Sequence, residues 1–137
     1  MNELRPGLEG EHKIIVGANV AVDFLGLEGA RVLGTPHLIM LLEMTCRNSI
    51  KPLLEAGFDS VGSEVSIKHL AATPIGMQAT FRSRVLEVDG RRVRFAVEAY
   101  DEKEKIAEGT HERFVINVAR FAERVQAKRR GSGSKGE

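Results

Sequence analysis

Three side chains in this sequence could together carry out acid–base or nucleophilic chemistry: Thr35, Glu43 and His69. Glu43 interrupts the apolar segment MLLEMT, where a lone carboxylate is costly to bury unless it is paired or neutralised. His69 can carry a proton near neutral pH. Thr35 offers a hydroxyl at a predicted helix start, where unpaired backbone N–H groups can hold an oxyanion or an anionic ligand.

Each of these residues also has a purely structural interpretation. Glu43 could lie on an exposed stripe of its helix, and Thr35 could serve only as an N-cap. His69 could be a core histidine that is hydrogen-bonded to the backbone. The residue types and their positions leave both interpretations open.

The spacing of Thr35 and Glu43 limits how they could cooperate. Eight residues separate them on one helix, which is about 12 Å along the axis and about 80° around it. One chain would hardly bring both to one small reacting group. The spacing is therefore a geometric hint that the site is shared across a subunit interface.

A long apolar helix is the clearest predicted element. It begins near Thr35, with Pro36 in the first turn, where no N–H is needed. Apolar residues continue at largely helical spacing to Leu53. Pro52 weakens the helix end, and Gly57 is a plausible stop.

The hydrophobic period changes from helical to two after Gly57, which predicts strands. In SEVSIKHL, His69 shares a face with two aliphatic residues and should point at the helix. The alternation slips at Val85–Leu86, which predicts a bulge, and Asp89–Gly90 predicts a hairpin turn. Predicted strands occupy Lys13–Val16, the SEVSIKHL segment, 77–86, 93–99 and 106–118. An antiparallel sheet with one apolar face needs a cover, so the pattern predicts an α+β fold in which the sheet wraps the helix.

Three further residues, His37, His111 and Arg113, have side chains that could bind a ligand. His111 and Arg113 share one face of the last strand, where exposed cross-strand charge pairing is the structural interpretation. His37 lies in the first turn of the helix and could approach a ligand there.

Length and composition indicate a single domain. The 137 residues are enough for one core, and we predict one domain over residues 1–128 with a disordered basic, Gly/Ser-rich tail at 129–137. The formal net charge of +1 argues against a nucleic-acid partner. No apolar run approaches the ~20 residues of a membrane span, so no membrane partner is expected. With no signal peptide visible and Cys46 as the only cysteine, the default location is the cytoplasm.

Several site classes are excluded by missing motifs. The sequence has no GxSxG nucleophile elbow, no phosphate-binding glycine loop and no zinc-ligand spacing. We therefore expect no metal and no cofactor.

Three separated segments resemble one known family, the hotdog-fold thioesterases related to fluoroacetyl-CoA thioesterase. GTPHLIMLLEMTC contains Thr35 and Glu43 at the family's spacing, GSEVSIKHLAATPIG contains Gly62 and His69, and EGTHERFVIN contains Arg113. The resemblance covers residues 10 to 128.

This resemblance implies a hotdog fold and a homodimer, possibly a higher oligomer, whose sheets join edge to edge around an interfacial active site. It implies hydrolysis of an acyl-CoA to a free acid and CoA, the coenzyme being part of the substrate. Thr35 would be nucleophile or hydrogen-bond donor, His69 would take or relay the proton, and Glu43 would attack or orient water. Gly62 and Arg113 would contact substrate.

One region departs from the family pattern. The fluoroacetyl-specific enzyme has an aromatic lid before the catalytic helix, whereas DFLGLEGARVLG here has only Phe24. The expected substrate is therefore a short or medium acyl-CoA rather than a fluorinated one. The alternatives are a non-catalytic hotdog protein that binds acyl-CoA or another small ligand, and a hotdog dehydratase, which would normally need a different Asp and His pairing.

Overall fold

The computed structural model of the chain describes residues 3–134, with side chains as far as residue 131. Within these residues, two α-helices and five β-strands are joined by short turns, three single 3₁₀ turns and one longer connection, residues 16–34. In chain order they are β1 (Glu9–Ile15), α1 (Thr35–Ile50), β2 (Phe58–His69), β3 (Gln78–Asp89), β4 (Arg92–Asp101), β5 (Lys105–Asn117) and α2 (Val118–Ser134). The predicted strands are all present, and β1 begins earlier than its apolar residues indicated.

The five strands form one antiparallel sheet in the order β1-β3-β4-β5-β2. The strands β1 and β2 are therefore its two edges. The predicted irregularity in β3 is confirmed as a register shift between Val85 and Glu87. The Asp89–Gly90 hairpin is also confirmed, and Gly90 has the positive φ of 62° that such a turn favours.

Helix α1 covers the inner face of the sheet, and the core lies between them. Apolar residues on alternate positions of β3 and β4 meet those at helical spacing on α1. The fully buried core consists of Val16, Leu33, Leu38, Leu42, Cys46, Ile50, Ala79, Phe81, Val85, Val93, Phe95, Val97, Ala99, Ile106 and Ala107. A long helix wrapped by an antiparallel sheet is the hotdog arrangement that the sequence predicts.

A bidentate ion pair ties the end of α1 to the start of β2. Arg47 donates from Nε to Asp59 Oδ1 at 3.0 Å and from Nη2 to Oδ2 at 2.6 Å. The Asp59 carboxylate also accepts the backbone N–H of Ser60 at 2.7 Å. The Arg47 hydrogen bond lowers the pKa of Asp59 to about 2. This ion pair, which we call the Arg47–Asp59 clasp, fixes the backbone at Ser60. Ser60 belongs to the site described below.

Helix α2 follows β5 directly and includes six residues, 129–134, that the sequence assigned to the tail. The segment before Gly131 is rich in good helix formers, which explains why the helix continues. Residues 135–137 of the predicted tail lie outside the described residues. No helix within residues 3–134 is long and apolar enough to cross a membrane.

Candidate active site

Thr35 and His69 form a direct hydrogen-bonded pair. The Thr35 hydroxyl lies 2.8 Å from Nδ1 of His69, although 34 residues separate them in sequence. Thr35 is not the N-cap, contrary to the sequence prediction. Gly34 occupies that position in extended conformation and makes no side-chain cap bond, and its own N–H is held by the carbonyl of Val20. The Thr35 side chain is thereby released from capping and can reach the imidazole.

His69 lies at the end of β2 on the face that points to the helix, as its alternation with Val65 and Ile67 predicts. Burial lowers the pKa of His69, and a hydrogen bond with the backbone of Ala71 partly opposes this. The ring is therefore neutral at neutral pH, with Nδ1 directed at the Thr35 hydroxyl. A neutral imidazole beside a hydroxyl can accept its proton or orient it.

An apolar pocket of about 430 Å³ opens beside this pair. Phe24 lines it together with eight small or aliphatic residues: Val22, Leu25, Val32, Leu33, Gly34, Leu70, Ala71 and Ala72. Thr35 and His69 are at its edge, so the pocket could hold an apolar group next to the hydroxyl. A depression of about 580 Å³ on the outer sheet face, beside Ala96, is lined mainly by charged side chains and contains neither residue.

Glu43 belongs to a second group of residues. Its side chain is 38% exposed, and its Oε1 lies 3.9 Å from Nη1 of Arg113. Neither a fully exposed stripe nor an isolated buried carboxylate describes this position. The second group, which we call the Arg113 cluster, consists of Glu43, Ser60, Gly62, His111 and Arg113.

Arg113 is the centre of this cluster, and its side chain is only 8% exposed. Its Nε donates to Ser60 Oγ at 2.7 Å and its Nη2 to the Ser60 carbonyl at 2.7 Å. Burial lowers the pKa of Arg113, and Glu43 opposes this shift. The interpretation of His111 and Arg113 as exposed charge pairs was wrong, because the register of β5 turns both toward α1.

Gly62 brings the backbone of β2 close to the other members of the Arg113 cluster. A Cβ at this position would lie 3.1 Å from His111 Cε1, 3.2 Å from Glu43 Oε1 and 3.6 Å from Arg113 Nη1. Any side chain would therefore crowd the carboxylate. The register of β2 against β5 also shifts between Gly62 and Glu64. The absence of a side chain at this bulge leaves the Glu43 carboxylate uncrowded.

Ser60 and His111 are the two members of the cluster to which the sequence gave no functional role. The His111 ring is 2% exposed and stacks on Phe95, with centroids 6.1 Å apart. Its Nδ1 lies 2.9 Å from the Glu64 carbonyl and its Nε2 3.2 Å from Arg113 Nη1. Its two-residue spacing from Arg113 on β5 was the available signal that both side chains share an environment.

Two other residues belong to neither the Thr35–His69 pair nor the Arg113 cluster. His37 is half-buried in the first turn of α1 beside Gly34. Burial raises the pKa of Cys46 to about 12, so its thiol is not a nucleophile at neutral pH. Within residues 3–134 no group of three or more histidine, cysteine or acidic side chains lies close enough together to hold a metal ion.

Comparison with known proteins identifies the family. The model of the fluoroacetyl-CoA-specific thioesterase family matches residues 15–119. A fluoroacetyl-CoA thioesterase from Streptantibioticus cattleyicolor is 37% identical over 101 residues, which is 74% of this chain and 73% of that protein. The chain belongs to the fluoroacetyl-CoA-specific thioesterase family. It is a thioester hydrolase.

Solved structures agree with this family assignment and with the hotdog fold. The fluoroacetyl-CoA thioesterase FlK superposes with a TM-score of 0.84 at 32% identity, covering 93% of this chain and 98% of that one. A thioesterase superfamily member from Thermus thermophilus superposes with a TM-score of 0.83 at 28% identity over all of both chains. Another FlK structure contains fluoroacetate and CoA, with a TM-score of 0.79 at 33% identity, covering 86% and 99% of the two chains.

In this member of the thioesterase family, the predicted site residues fall into two separate groups. Thr35 and His69 are in direct contact at the apolar pocket. Glu43, Gly62 and Arg113 lie together in the Arg113 cluster. Glu43 is about two helical turns after Thr35 on α1. A single chain holds each half but does not join them through any hydrogen bond among its described side chains.

Proposed function

We propose that the protein hydrolyses a short or medium acyl-CoA to a free acid and CoA, at a site formed jointly by two copies of the chain. The observation that carries this proposal is the 2.8 Å contact between Thr35 and His69 at the edge of an apolar pocket. The pocket can receive the acyl group while the thioester carbonyl meets the hydroxyl. Family membership supports the thioester as the bond that is cleaved.

The edge strand β2 supports a second copy of the chain as the missing partner. β2 has 12 residues and pairs on only one side, with β5. Its inward-facing Val65 is 37% exposed, and the adjacent Leu70 is 50% exposed. A long edge with unpaired N–H and C=O groups and exposed apolar residues is a typical site of strand pairing. Antiparallel pairing of two β2 strands would bury these residues in a homodimer.

The same pairing would bring the two half-sites together. A two-fold axis near Val65 places residues about four positions on either side of it opposite each other. His69 of one chain would then approach Gly62 of the partner subunit, and with it the partner's Glu43 and Arg113. Each dimer would have two equivalent sites.

Within such a site, each residue would have a defined task. His69 would accept the proton of Thr35 if the hydroxyl attacks, or orient the hydroxyl if it only donates to the carbonyl. Glu43 of the partner subunit would orient water or attack the carbonyl itself. The first-turn N–H groups of α1 at Thr35 and His37 have no intrahelical acceptors and could stabilise the oxyanion.

The segment before α1, residues 23–34, supports a substrate that is not selected by several aromatic side chains, because Phe24 is its single aromatic residue. Phe24 is 79% exposed, and the neighbouring Leu25 and Leu27 are also exposed. A Cβ at Gly26 or Gly29 would have no heavy atom within 4 Å, so the segment is not packed against the rest of the chain at these two positions. We infer that aliphatic acyl groups larger than acetyl can enter. No cofactor beyond the CoA of the substrate is proposed.

Release of free thiol from a series of acyl-CoAs tests this function. Acetyl-, butyryl-, hexanoyl-, octanoyl- and fluoroacetyl-CoA would each be incubated with the protein and with its His69→Ala variant. Steady turnover of a non-fluorinated substrate that is lost in the variant supports the proposal. Saturable acyl-CoA binding without thiol release would instead indicate a non-catalytic binding protein.

A further inference from the structure

The guanidinium of Arg113 is fixed by acceptors that lie on the side away from solvent. Ser60 accepts two of its hydrogen bonds, one at the hydroxyl and one at the carbonyl. His111 Nε2 faces the remaining terminal nitrogen, Nη1, at 3.2 Å. Every nitrogen of the guanidinium is thus engaged by Ser60 or His111.

The nearest carboxylate, Glu43, does not receive a direct hydrogen bond from Arg113. Its Oε1 is 3.9 Å from Nη1, beyond hydrogen-bond distance. A bidentate Arg–carboxylate pair would normally close such a gap, because each of its two hydrogen bonds is strong. Gly62 lies beside this gap, where a Cβ would stand 3.2 Å from Glu43 Oε1. Arg113 therefore remains close to Glu43 while both carboxylate oxygens stay accessible.

His111 can hold Arg113 in this way only while its ring is neutral. The Glu64 carbonyl can only accept, so Nδ1 bears the proton and Nε2 offers its lone pair to Arg113. The charged groups around the ring are Arg113 and Glu112 on β5 and Glu43 on α1, with Glu64 contributing its carbonyl from β2. Burial and Arg113 lower the pKa of His111, which favours the neutral ring.

We propose that His111 is a positioning residue that keeps Arg113 from pairing with Glu43, so that the carboxylate remains free for water or the thioester. Removal of the ring would allow Nη1 to move to Glu43 and occupy an oxygen. Protonation of the ring would have a similar result, because Nε2–H would repel Arg113 and could itself donate to Glu43. This role rests on the proposed function of Glu43.

Steady-state kinetics of two His111 variants test the role. We expect His111→Ala to lower kcat by on the order of 10- to 100-fold with KM little changed, because a misplaced group affects the reaction more than binding. His111→Gln retains an acceptor that can reach Arg113 and should recover most of this loss. His12→Ala, at an exposed position on β1, is the matched control. Wild-type kcat in His111→Ala, or equal losses in the Ala and Gln variants, would overturn the proposal.

The pH dependence provides a readout that a merely structural role would not change. In the wild type, kcat should fall at acid pH as the rings of His69 and His111 gain protons, and only the His69 contribution should remain in His111→Gln. An unchanged acid limb in His111→Gln would contradict the role. If His111→Ala fails to fold, this comparison and the kcat of the Gln variant still decide the question.

Two structural measurements do not depend on turnover. In ¹⁵N NMR of protein with labelled histidine, His111 should be protonated on Nδ1 alone at neutral pH. A crystal structure of His111→Ala should show Arg113 in hydrogen-bond contact with Glu43. A ring protonated on Nε2, or an Arg113 that stays in place, would overturn the proposal. If the wild type cleaves no acyl-CoA, the proposed function fails, and these two measurements still judge how Arg113 is held.

Discussion

The two halves of the site differ in how their polar groups are held. The Thr35–His69 pair lies at the edge of a pocket, and one hydrogen bond between the two side chains joins the start of α1 to the end of β2. The Arg113 cluster is largely buried, and Ser60 and His111 hold its cation through three hydrogen bonds. We therefore expect the pair to contribute to activity and little to folding stability, whereas the cluster should contribute to both.

Because of this difference, variants of the pair should lose activity without losing stability, whereas variants of the cluster should lose both. A side chain with one exposed hydrogen bond can be removed at little cost to folding. A buried cation that satisfies several acceptors cannot, because its removal leaves polar groups without partners. Activity and stability measurements on variants of each group therefore test this comparison.

The largest expected effect is on activity, from the pair. His69→Ala should lower kcat/KM by roughly 10²- to 10⁴-fold, which is the usual contribution of a general base, while the thermal midpoint stays near that of wild type. Thiol-release kinetics and a melting curve measure both quantities, with His12→Ala as the control. A His69→Ala variant with a wild-type rate would remove this residue from the chemistry.

The second largest effect is expected in the Arg113 cluster and is a double loss. Arg113→Met should lower activity and also reduce the free energy of unfolding by about 1–3 kcal/mol, because Ser60 and His111 lose their donor. Denaturant titration measures the stability term. If Arg113→Met is inactive but fully stable, the cluster has no structural duty and the contrast with the pair is lost.

A smaller effect is expected in the segment before α1, which contains the pocket-lining residues Phe24 and Leu25. Gly29 has a permitted backbone conformation and no heavy atom within 4 Å of a built Cβ, so a large side chain can be introduced there. Gly29→Phe should reduce kcat/KM for hexanoyl- and octanoyl-CoA by about tenfold relative to acetyl-CoA. Gly29→Ala is the matched control. Equal effects on all chain lengths would mean that this segment does not border the acyl group.

The smallest effect is expected next to the cluster, at the Arg47–Asp59 clasp. Because the folded pKa of Asp59 is about 2, below its unfolded value, the clasp stabilises the fold above pH ~4 and loses this contribution as pH falls toward 2. Asp59→Asn should cost about 1 kcal/mol at pH 7, after allowance for solvent screening. The difference from wild type should shrink on acidification. Glu55→Gln, at an exposed position, is the control for loss of a carboxylate. A difference that is constant with pH would contradict the ion pair.

Local sequence patterns predict most of the fold because they report local geometry. The period-two stretches, the Asp89–Gly90 turn and the irregularity after Val85 each depend on neighbouring residues. The same applies to the separation of Thr35 and Glu43, which follows from the rise of one helix. These predictions needed no knowledge of distant contacts.

The missed features depend on contacts between distant parts of the chain. Thr35 is not a cap because Val20, 15 residues earlier, holds the N–H of Gly34 and makes that glycine the N-cap. Alternation places His111 and Arg113 on one face of β5 but does not say that this face is the buried one. Polar residue types favour the exposed side, and only the packing of α1 over the sheet reverses that expectation.

Mixed dimers of two inactive variants test the central claim, a site completed by two subunits, most directly. His69→Ala and Glu43→Gln chains with different tags would be co-expressed and the mixed dimer purified. If the halves come from different subunits, a mixed dimer has one site with both defects and one intact site, so it should regain about half of the wild-type activity. If mixed dimers form and remain as inactive as either parent, the site is not shared between subunits and the account is wrong.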